Sequence, residues 1–403
     1  MEKRSKKDES LAAAGLTPGR YRAMEEIMSR LPVRSVHRFK CVCKLWRDLI
    51  AHRKKLPQTL AGFLYTTYLD RDRRHFAGVS ATVVDPSLAF LRPMNYTKIR
   101  LVDTCNGLLL CSCCYSNEEE ERLVVCNPAT QRWTELPARP QPQPTTIYLC
   151  AQRLAFDPAV SQSHFHVLDF QGIPREYYLT GVSIYSSTTG AWTHRDIELL
   201  PKIQLTSGSV FVGGMLHLPA MLCKDPRRDY NQEEEDNKYV LLRVDMEWKA
   251  WKTVRAPCGF YTGAFGCSQG RLYYATRSEA LVTVRNDDGE DRLLPSSEIK
   301  VWCLEDSDSR KWALKHTVRV DKLLNVVEME YTVVGFHPDC DTIFFVTRGA
   351  YDGDSYDASV LASWDMRRQE FSSILDLEKG SSPKYLPYVP VFAESALGDG
   401  DVH

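Results

Sequence analysis

One aromatic position recurs along the chain at a nearly constant interval. Trp133, Trp192, Trp251, Trp312 and Phe371 are separated by 59, 59, 61 and 59 residues. Each closes the same local pattern of an alternating strand, a short polar turn and a second strand, as in LVVCNPATQRWTEL and VSIYSSTTGAWTHR. A repeat of this length built only from strands restricts the fold to an array of similar β units. We expect the five aromatics to pack between neighbouring units, because large rings at a fixed place in every unit are more typical of cores than of ligand cages.

A second hairpin pattern precedes each of these phrases. Asn106-Gly107, Gly213-Gly214 and Gln269-Gly270 supply tight turns in three units, and longer turns occur in LAFDPAVSQSHFHVLDF and VGFHPDCDTIFFVT. Each unit therefore has four predicted strands, and four-stranded units arranged radially form a β-propeller. Strand patterns at 62–84 and 385–392 predict a sixth unit shared between the two chain ends, which gives six blades. Five or seven blades, or a pair of β-sandwiches, are the alternatives.

The long polar inserts all fall between the second and third strands of their units. In a propeller these loops share one face with the crossovers between blades, including the Pro-rich segment 137–146. Loops on a rigid scaffold are where recognition usually occurs, so this face is the predicted binding surface. Its acidic runs would favour a basic partner, although solvated loops would look the same. The candidate binding residues on these loops are Glu119, Glu120, Arg175, Arg228, Tyr230, Glu234, Asp287, Asp288 and Tyr351.

The stretch from Leu31 to Ile50, LPVRSVHRFKCVCKLWRDLI, differs from everything after it. On a helix beginning at Val36, its apolar residues form two adjacent stripes that cover about half of the circumference. So small a segment cannot bury two apolar walls by itself. It is either a helical cap on the following domain or a module that binds another protein.

This stretch resembles the second half of an F-box, the helical module that binds the adaptor subunit of SCF-type ubiquitin ligases. The resemblance implies an all-α F-box at 16–58, after a disordered basic tail at 1–15. Gly19 and Arg20 depart from the family, which has an apolar Leu-Pro pair at that point. The adaptor contacts implied by motif position are Leu31, Pro32, Val36, Phe39, Val42, Trp46 and Ile50.

The phrases AGFLY, CNGLLLC and VCNPATQRW resemble the C-terminal interaction region of plant F-box proteins, of the F-box-associated or kelch-like kind. The resemblance implies a propeller at 59–395, with a flexible tail at 396–403. It also implies a non-enzymatic receptor subunit that recruits a protein target, with a Skp-type adaptor and a cullin scaffold as partners. An adaptor-free scaffold is the alternative, and a kelch-like copper enzyme is a further one.

Composition adds several exclusions. The 13 cysteines and the absence of an export signal predict reduced thiols in the cytoplasm or nucleus. The cluster formed by Cys105, Cys111, Cys113 and Cys114 has no second ligand pair in zinc-site spacing, so core packing is expected in place of a metal. No stretch is long and apolar enough to predict a membrane span, and the basic head lacks the pattern of a DNA-reading helix. No catalytic motif is present, and no cofactor, nucleic acid or membrane is expected as a partner.

Overall fold

The computed structural model describes residues 60–67, 70, 73–80, 84–94, 96–115, 121–140, 147–173, 178–198, 202–206, 208–222, 239–257, 263–277, 281–285, 291–295, 298–305, 311–319, 330–348, 359–392 and 397. The chain divides into two compact units, Met1–Thr59 and Leu60–His403. The predicted tail at 1–15, the predicted F-box at 16–58 and all seven predicted adaptor contacts lie outside the described residues.

The described part of the second unit is built from strands. The N-terminal ones are β1 (Gly62–Thr67) and β2 (Arg74–Gly78), followed by a 3₁₀ helix at Ala89–Met94. Blade 2 is the sheet β3 (Tyr96–Cys105), β4 (Leu108–Tyr115), β5 (Arg122–Asn127) and β6 (Arg132–Glu135). Blade 3 is the sheet β7 (Ile147–Phe156), β8 (Phe165–Gly172), β9 (Leu179–Ser186) and β10 (Ala191–Asp196).

Blades 4 and 5 vary this plan. In blade 4 the first strand is split, because both β11 (Ile203–Leu205) and β12 (Val210–Val212) pair with β13 (Met215–Leu222). β13 then pairs with β14 (Tyr239–Asp245), and β14 pairs with β15 (Trp251–Arg255). Blade 5 contains β16 (Ala264–Ser268) and β17 (Arg271–Arg277), then β20 (Glu298–Leu304) and β21 (Trp312–Arg319). The separate hairpin β18 (Leu281–Arg285) and β19 (Asp291–Pro295) lies within the predicted polar insert of this blade.

Blade 6 is β22 (Glu330–Phe336), β23 (Thr342–Arg348), β24 (Ser359–Asp365) and β25 (Glu370–Asp376). The last strand, β26 (Ser381–Tyr388), pairs with β1 in the register Gly62 to Tyr388, and β1 pairs with β2. Blade 1 is thus the sheet β26-β1-β2, made from the two ends of the second unit. The predicted closure of the ring by a split blade is confirmed.

The first strands of successive blades contact one another around a central axis. Contacts join β22 to β26, β26 to β3, β3 to β7, β12 to β16 and β16 to β22. Between β7 and blade 4, the Arg153 guanidinium donates to the carbonyls of Thr206 and Gly208 at 3.3 Å each. The ring is therefore closed with six blades, as predicted, and the alternatives of five or seven blades are excluded.

Apolar side chains on both faces of each sheet form the core between blades. Between blades 2 and 3, for example, Leu110 and Val125 pack in one cluster with Phe156 and Val167, all four nearly inaccessible. Burial on both faces explains near-continuous apolar runs such as LLLC in β4. The turn before β4 needs glycine, because Gly107 has φ +94° and a Cβ there would lie 2.6 Å from the Val389 carbonyl oxygen.

The repeated aromatics occupy a common place on the fourth strand, but not all are packed alike. The indole N–H of Trp192 donates to the Pro137 carbonyl at 2.9 Å, and that of Trp312 donates to the Arg255 carbonyl at 2.8 Å. Each acceptor belongs to the end of the preceding blade, so these rings connect adjacent blades. Trp133 packs with the core between blades 1 and 2, and Phe371 packs with the core between blades 5 and 6.

Trp251 corrects the sequence prediction, because 43% of its surface is exposed. The ring that fills the space between blades 3 and 4 is Trp248, which is 8% exposed and lies 5.7 Å from the ring of Phe170. The β14–β15 turn explains the shift. Trp248 adopts φ +56°, and the Asp245 carboxylate accepts the next two backbone N–H groups. This turn directs Trp248 into the core in place of the residue that matches the repeat.

Alanine substitutions should separate these two tryptophans. Trp192→Ala should lower the free energy of unfolding by about 3 kcal/mol, since it removes both ring packing and a hydrogen bond. Trp251→Ala should cost less than about 1 kcal/mol, because surface substitutions have small effects. Denaturant unfolding of both variants measures the difference, and equal costs would contradict the assigned packing.

Candidate functional site

The loop face is defined here as the face where second strands join third strands and where each blade crosses to the next. All five predicted inserts fall there, between β4 and β5, β8 and β9, β13 and β14, β17 and β20, and β23 and β24. The nine predicted binding residues lie outside the described residues, and their roles stay predictions: Glu119, Glu120, Arg175, Arg228, Tyr230, Glu234, Asp287, Asp288 and Tyr351. What the structure does show is the rim from which these loops emerge.

A chain of charges crosses this rim between blades 2 and 3. Arg100 forms an ion pair with Glu121, and Arg139 lies 4.0 Å from the other oxygen of the same carboxylate. Arg139 also donates to Asp169 at 3.0 Å, and the Asp169 side chain is completely buried. Burial raises the pKa of Asp169, while Arg139 opposes that shift. Glu121 is the one described carboxylate of the acidic run that precedes β5, and its charge is balanced by Arg100 and Arg139.

Blade 3 carries a polar row behind this ion pair. Gln152, Asp169, Ser183 and His194 are register partners on four successive strands. The Gln171 amide donates to the Ser183 hydroxyl at 3.1 Å, and that hydroxyl lies 3.3 Å from His194 Nδ1. The space between blades 2 and 3 is thus polar towards the loop face and apolar beneath it.

A second charged group lies in the centre of the ring. Asp103 on β3 is buried and accepts the Leu154 N–H at 2.9 Å and the Ser209 hydroxyl at 3.2 Å. Burial raises the pKa of Asp103 and lowers the pKa of Arg153, and the attraction between the two opposes both shifts. Lys384 on β26 donates to the Val102 carbonyl at 2.6 Å. These contacts connect the first strands of blades 1 to 4 and serve ring closure.

A cleft of about 840 Å³ opens at the loop face between blades 6 and 1. One wall comes from the end of β25 and the crossover to β26, and the other comes from β1, the start of β2 and the segment before the 3₁₀ helix. The lining residues are Tyr65, Arg73, Arg74, His75, Phe76, Pro86, Ser87, Leu375, Asp376, Leu377, Glu378 and Lys379.

Aromatic rings form the floor of this cleft. The His75 ring stacks on Tyr65 with centroids 5.2 Å apart, and the Tyr65 hydroxyl accepts the Glu378 backbone N–H at 3.2 Å. Burial lowers the pKa of His75, although Glu378 opposes the shift, so the ring is neutral at pH 7. Arg73, Lys379, Asp376 and Glu378 are exposed around the rim. The cleft therefore combines ring surfaces with mixed charge, and three cationic side chains face two carboxylates.

The predicted cysteine cluster lies mostly in the core. Cys111 and Cys113 are fully buried between blades 1 and 2, together with Cys126 from β5. Burial raises the pKa of Cys113, and contact with Cys111 together with burial raises that of Cys126. Within the described ranges no group of three His, Cys, Asp or Glu side chains could hold a metal ion.

The histidines on β8 and β13 belong to no group of three metal-ligating side chains within the described residues. Burial lowers the pKa of His217 to about 4, and its Nδ1 lies within 3.3 Å of two backbone carbonyls. His164 is exposed and His166 half-buried on β8, where burial lowers the pKa of His166.

No helix among the residues that the structure describes is long and apolar enough to cross a membrane.

The structure describes one residue of the predicted flexible tail at 396–403, which is Leu397. It is 3% exposed and packs in the core between blades 2 and 3, and its carbonyl accepts an N–H from Arg132 at 3.3 Å. Leu397 covers apolar side chains between these blades, and the composition of the segment does not predict this contact. The other tail residues lie outside the described part of the chain.

A closed six-bladed ring of four-stranded and split sheets defines a β-propeller protein. Residues 69–390 match the model of the F-box associated beta propeller domain, and residues 21–57 match that of the F-box domain. The chain belongs to the family of F-box proteins that carry the F-box associated β-propeller. The F-box implies a Skp-type adaptor as a partner.

Curated relatives agree with this assignment. F-box protein At5g49610 of Arabidopsis thaliana is 24% identical over 343 residues, which cover 79% of this chain and 82% of the relative. F-box protein At3g26010 of the same plant is 24% identical over 366 residues, covering 86% and 76%. Plant F-box proteins are thus similar to this chain along most of its length.

Similar solved structures are more distant. A DUF4221 family member from Bacteroides vulgatus has a TM-score of 0.36 and 10% identity, covering 70% of this chain and 80% of that one. Prolyl oligopeptidase B from Galerina marginata has a TM-score of 0.39 and 8% identity, covering 81% and 53%. Likenesses this weak do not inform the function.

Sequence reasoning found the loop face but missed the cleft. Tyr65 and Glu378 are 313 residues apart, and no local pattern joins them. One signal was present in the sequence, since the pattern after β2 contains no fourth alternating strand before Tyr96. Counting the strands of the split blade would have pointed to a gap at its outer side.

Proposed function

We propose that this protein is the substrate-recognition subunit of an SCF-type ubiquitin ligase. The F-box would bind a Skp-type adaptor and, through it, a cullin scaffold. The propeller would hold a protein target on its loop face. The observation that carries the proposal is the joining of an F-box match to a closed propeller in one chain.

The contribution of such a receptor is proximity. A bound target has a high effective concentration relative to a ubiquitin-charged enzyme in the same assembly, without chemistry by the receptor itself. The described features fit this role, because the polar row of blade 3 and the central Asp103 group are structural contacts. The aromatic cleft, in contrast, is an accessible surface on the loop face. Recruitment of the target would take place in the cytoplasm, the nucleus or both.

Adaptor capture tests the proposal most directly. Purified full-length chain should capture a Skp-type adaptor, and the double substitution Leu31→Ala/Pro32→Ala should weaken capture at least tenfold, since both apolar contacts are lost. Val160→Ala is the matched control, because Val160 is 78% exposed on the propeller. Failure of the unmodified chain to capture adaptor would overturn the ligase proposal and favour an adaptor-free scaffold.

A metal assay separates the receptor from a propeller enzyme. A receptor requires no bound metal, whereas a kelch-like oxidase would carry copper. Stoichiometric copper or zinc in the purified full-length protein would therefore contradict the proposal.

A further inference from the structure

The outer edge of blade 1 differs from that of the other blades. β26 contacts the first strands β22 and β3, so it is the first strand of its blade, and β1 and β2 are the second and third. In blades 2, 3, 5 and 6 a fourth strand covers the third, and in blade 4 β15 covers β14. Among the described residues, β2 has no such cover. Its edge is therefore recessed relative to the flanking blades.

Backbone groups of β2 point into this recess. The Val79 N–H donates to the Ala61 carbonyl at 2.8 Å, which fixes the direction of its backbone groups towards β1. The direction of the backbone N–H and C=O groups alternates along a strand. The backbone groups of Ala77 and His75 therefore also point towards β1, whereas those of Phe76 and Gly78 point outward. An exposed strand edge of this kind is a template for pairing with another extended chain.

The recess has walls on both sides. On one side stand Leu375 and Leu377 from the end of blade 6. On the other, the Arg74 guanidinium donates to the carbonyls of Pro86 and Ser87 at 2.9 Å each and to that of Ile99 at 2.6 Å. The 840 Å³ cleft lies at this edge, because its lining includes His75 and Phe76 from opposite faces of β2.

We propose that the edge of β2 binds an extended peptide segment of the recruited protein, which adds the missing fourth strand to blade 1. Strand addition uses main-chain hydrogen bonds for affinity and alternate side chains for specificity. One side of the segment would place apolar side chains against Leu377 and the Tyr65–His75 stack. An acidic side chain would lie between Arg73 and Lys379, since cations outnumber carboxylates in the lining.

This inference rests on the proposed function, because it assigns the segment to the recruited target. Blocking the edge should leave adaptor capture unchanged, so failure of the two proposals is distinguishable. A target that binds elsewhere on the loop face would overturn the strand-addition site and leave the ligase role intact.

The test uses a displayed library of linear twelve-residue peptides selected against the full-length chain. Affinities of the selected synthetic peptides are measured for Phe76→Pro and Phe76→Ala. Both variants lose the ring, but only proline removes the outward N–H, so binding to Phe76→Pro should be at least tenfold weaker than to Phe76→Ala. Lys379→Glu should weaken acidic peptides about threefold to tenfold.

Hydrogen exchange locates the bound peptide independently. Peptide binding should slow exchange at the amides of Phe76 and Gly78 in the full-length chain. If the Phe76 variants unfold, Gly78→Pro and Gly78→Ala form a second pair, because a Cβ at Gly78 meets no atom closer than 3.6 Å.

Several outcomes would overturn the proposal. These are selection of no peptide, equal affinity for the proline and alanine variants, or protection that maps outside 74–78. Slow exchange at Phe76 in the free chain would show that a segment of this protein fills the edge. Protection that increases with protein concentration would show that a second copy does.

Discussion

Removal of residues 381–403 should abolish cooperative folding of the propeller. The deletion removes β26, the strand through which β1 and β2 are joined to the ring. Tyr385, Leu386 and Tyr388 are each less than 9% exposed, and Tyr388 is completely buried. Burial of such side chains stabilises a fold by about 1.5–3 kcal/mol each, which in sum is comparable to the 5–15 kcal/mol that typically separates folded from unfolded states.

Loss of the strand also opens the ring. Without β26, the first strands of blades 6 and 2 lose the neighbour that joins them, and a buried edge becomes available for aggregation. Deletion of 398–403 is the control, since it keeps both β26 and the buried Leu397. Calorimetry should show one cooperative transition for the control and none for the longer deletion. A cooperative transition near that of the full chain would show that blade 1 is dispensable.

The strands and their order were predictable because their signals are local. Asn106-Gly107 and Gly213-Gly214 are turn sequences whose conformation requires φ above zero, and each lies between alternating apolar segments. Closure by a split blade followed from the strand pattern at both ends together with the high cost of open edges. A hairpin within the insert of blade 5 was missed, since LVTVR and DRLLP are short and lie in a polar segment.

Features that depend on contacts between blades were not predictable. Trp248 replaces Trp251 because the β14–β15 turn changes which ring enters the core, and periodicity alone selects the wrong residue. Leu397 is buried by a distant surface that sequence position does not reveal. At the floor of the cleft, the Tyr65 hydroxyl accepts the backbone N–H of Glu378, which lies 313 residues further along the chain, so no local pattern connects the two residues.

Arg139→Met should lower the free energy of unfolding by about 3–5 kcal/mol at pH 7. The substitution leaves the buried Asp169 carboxylate without its cation, and an uncompensated buried charge is costly. Arg100→Met is the matched control. Arg100 pairs with Glu121 through a side chain that is 54% exposed, so its loss should cost less than about 1 kcal/mol. Replacing both partners, Arg139→Met/Asp169→Leu, should recover much of the stability, because the buried charge is then absent.

The pH dependence provides a further check on this ion pair. Burial holds the folded-state pKa of Asp169 above its unfolded value, so the stability that this group contributes is present at low pH and is lost as pH rises through the folded pKa. Removing Arg139 moves that pKa further upward. The deficit of Arg139→Met relative to the unmodified protein should therefore be largest at pH 7 and shrink as the solution is acidified towards about pH 4. Denaturant unfolding across this range measures it, and a deficit that does not change with pH would show that the arginine stabilises the rim by packing alone.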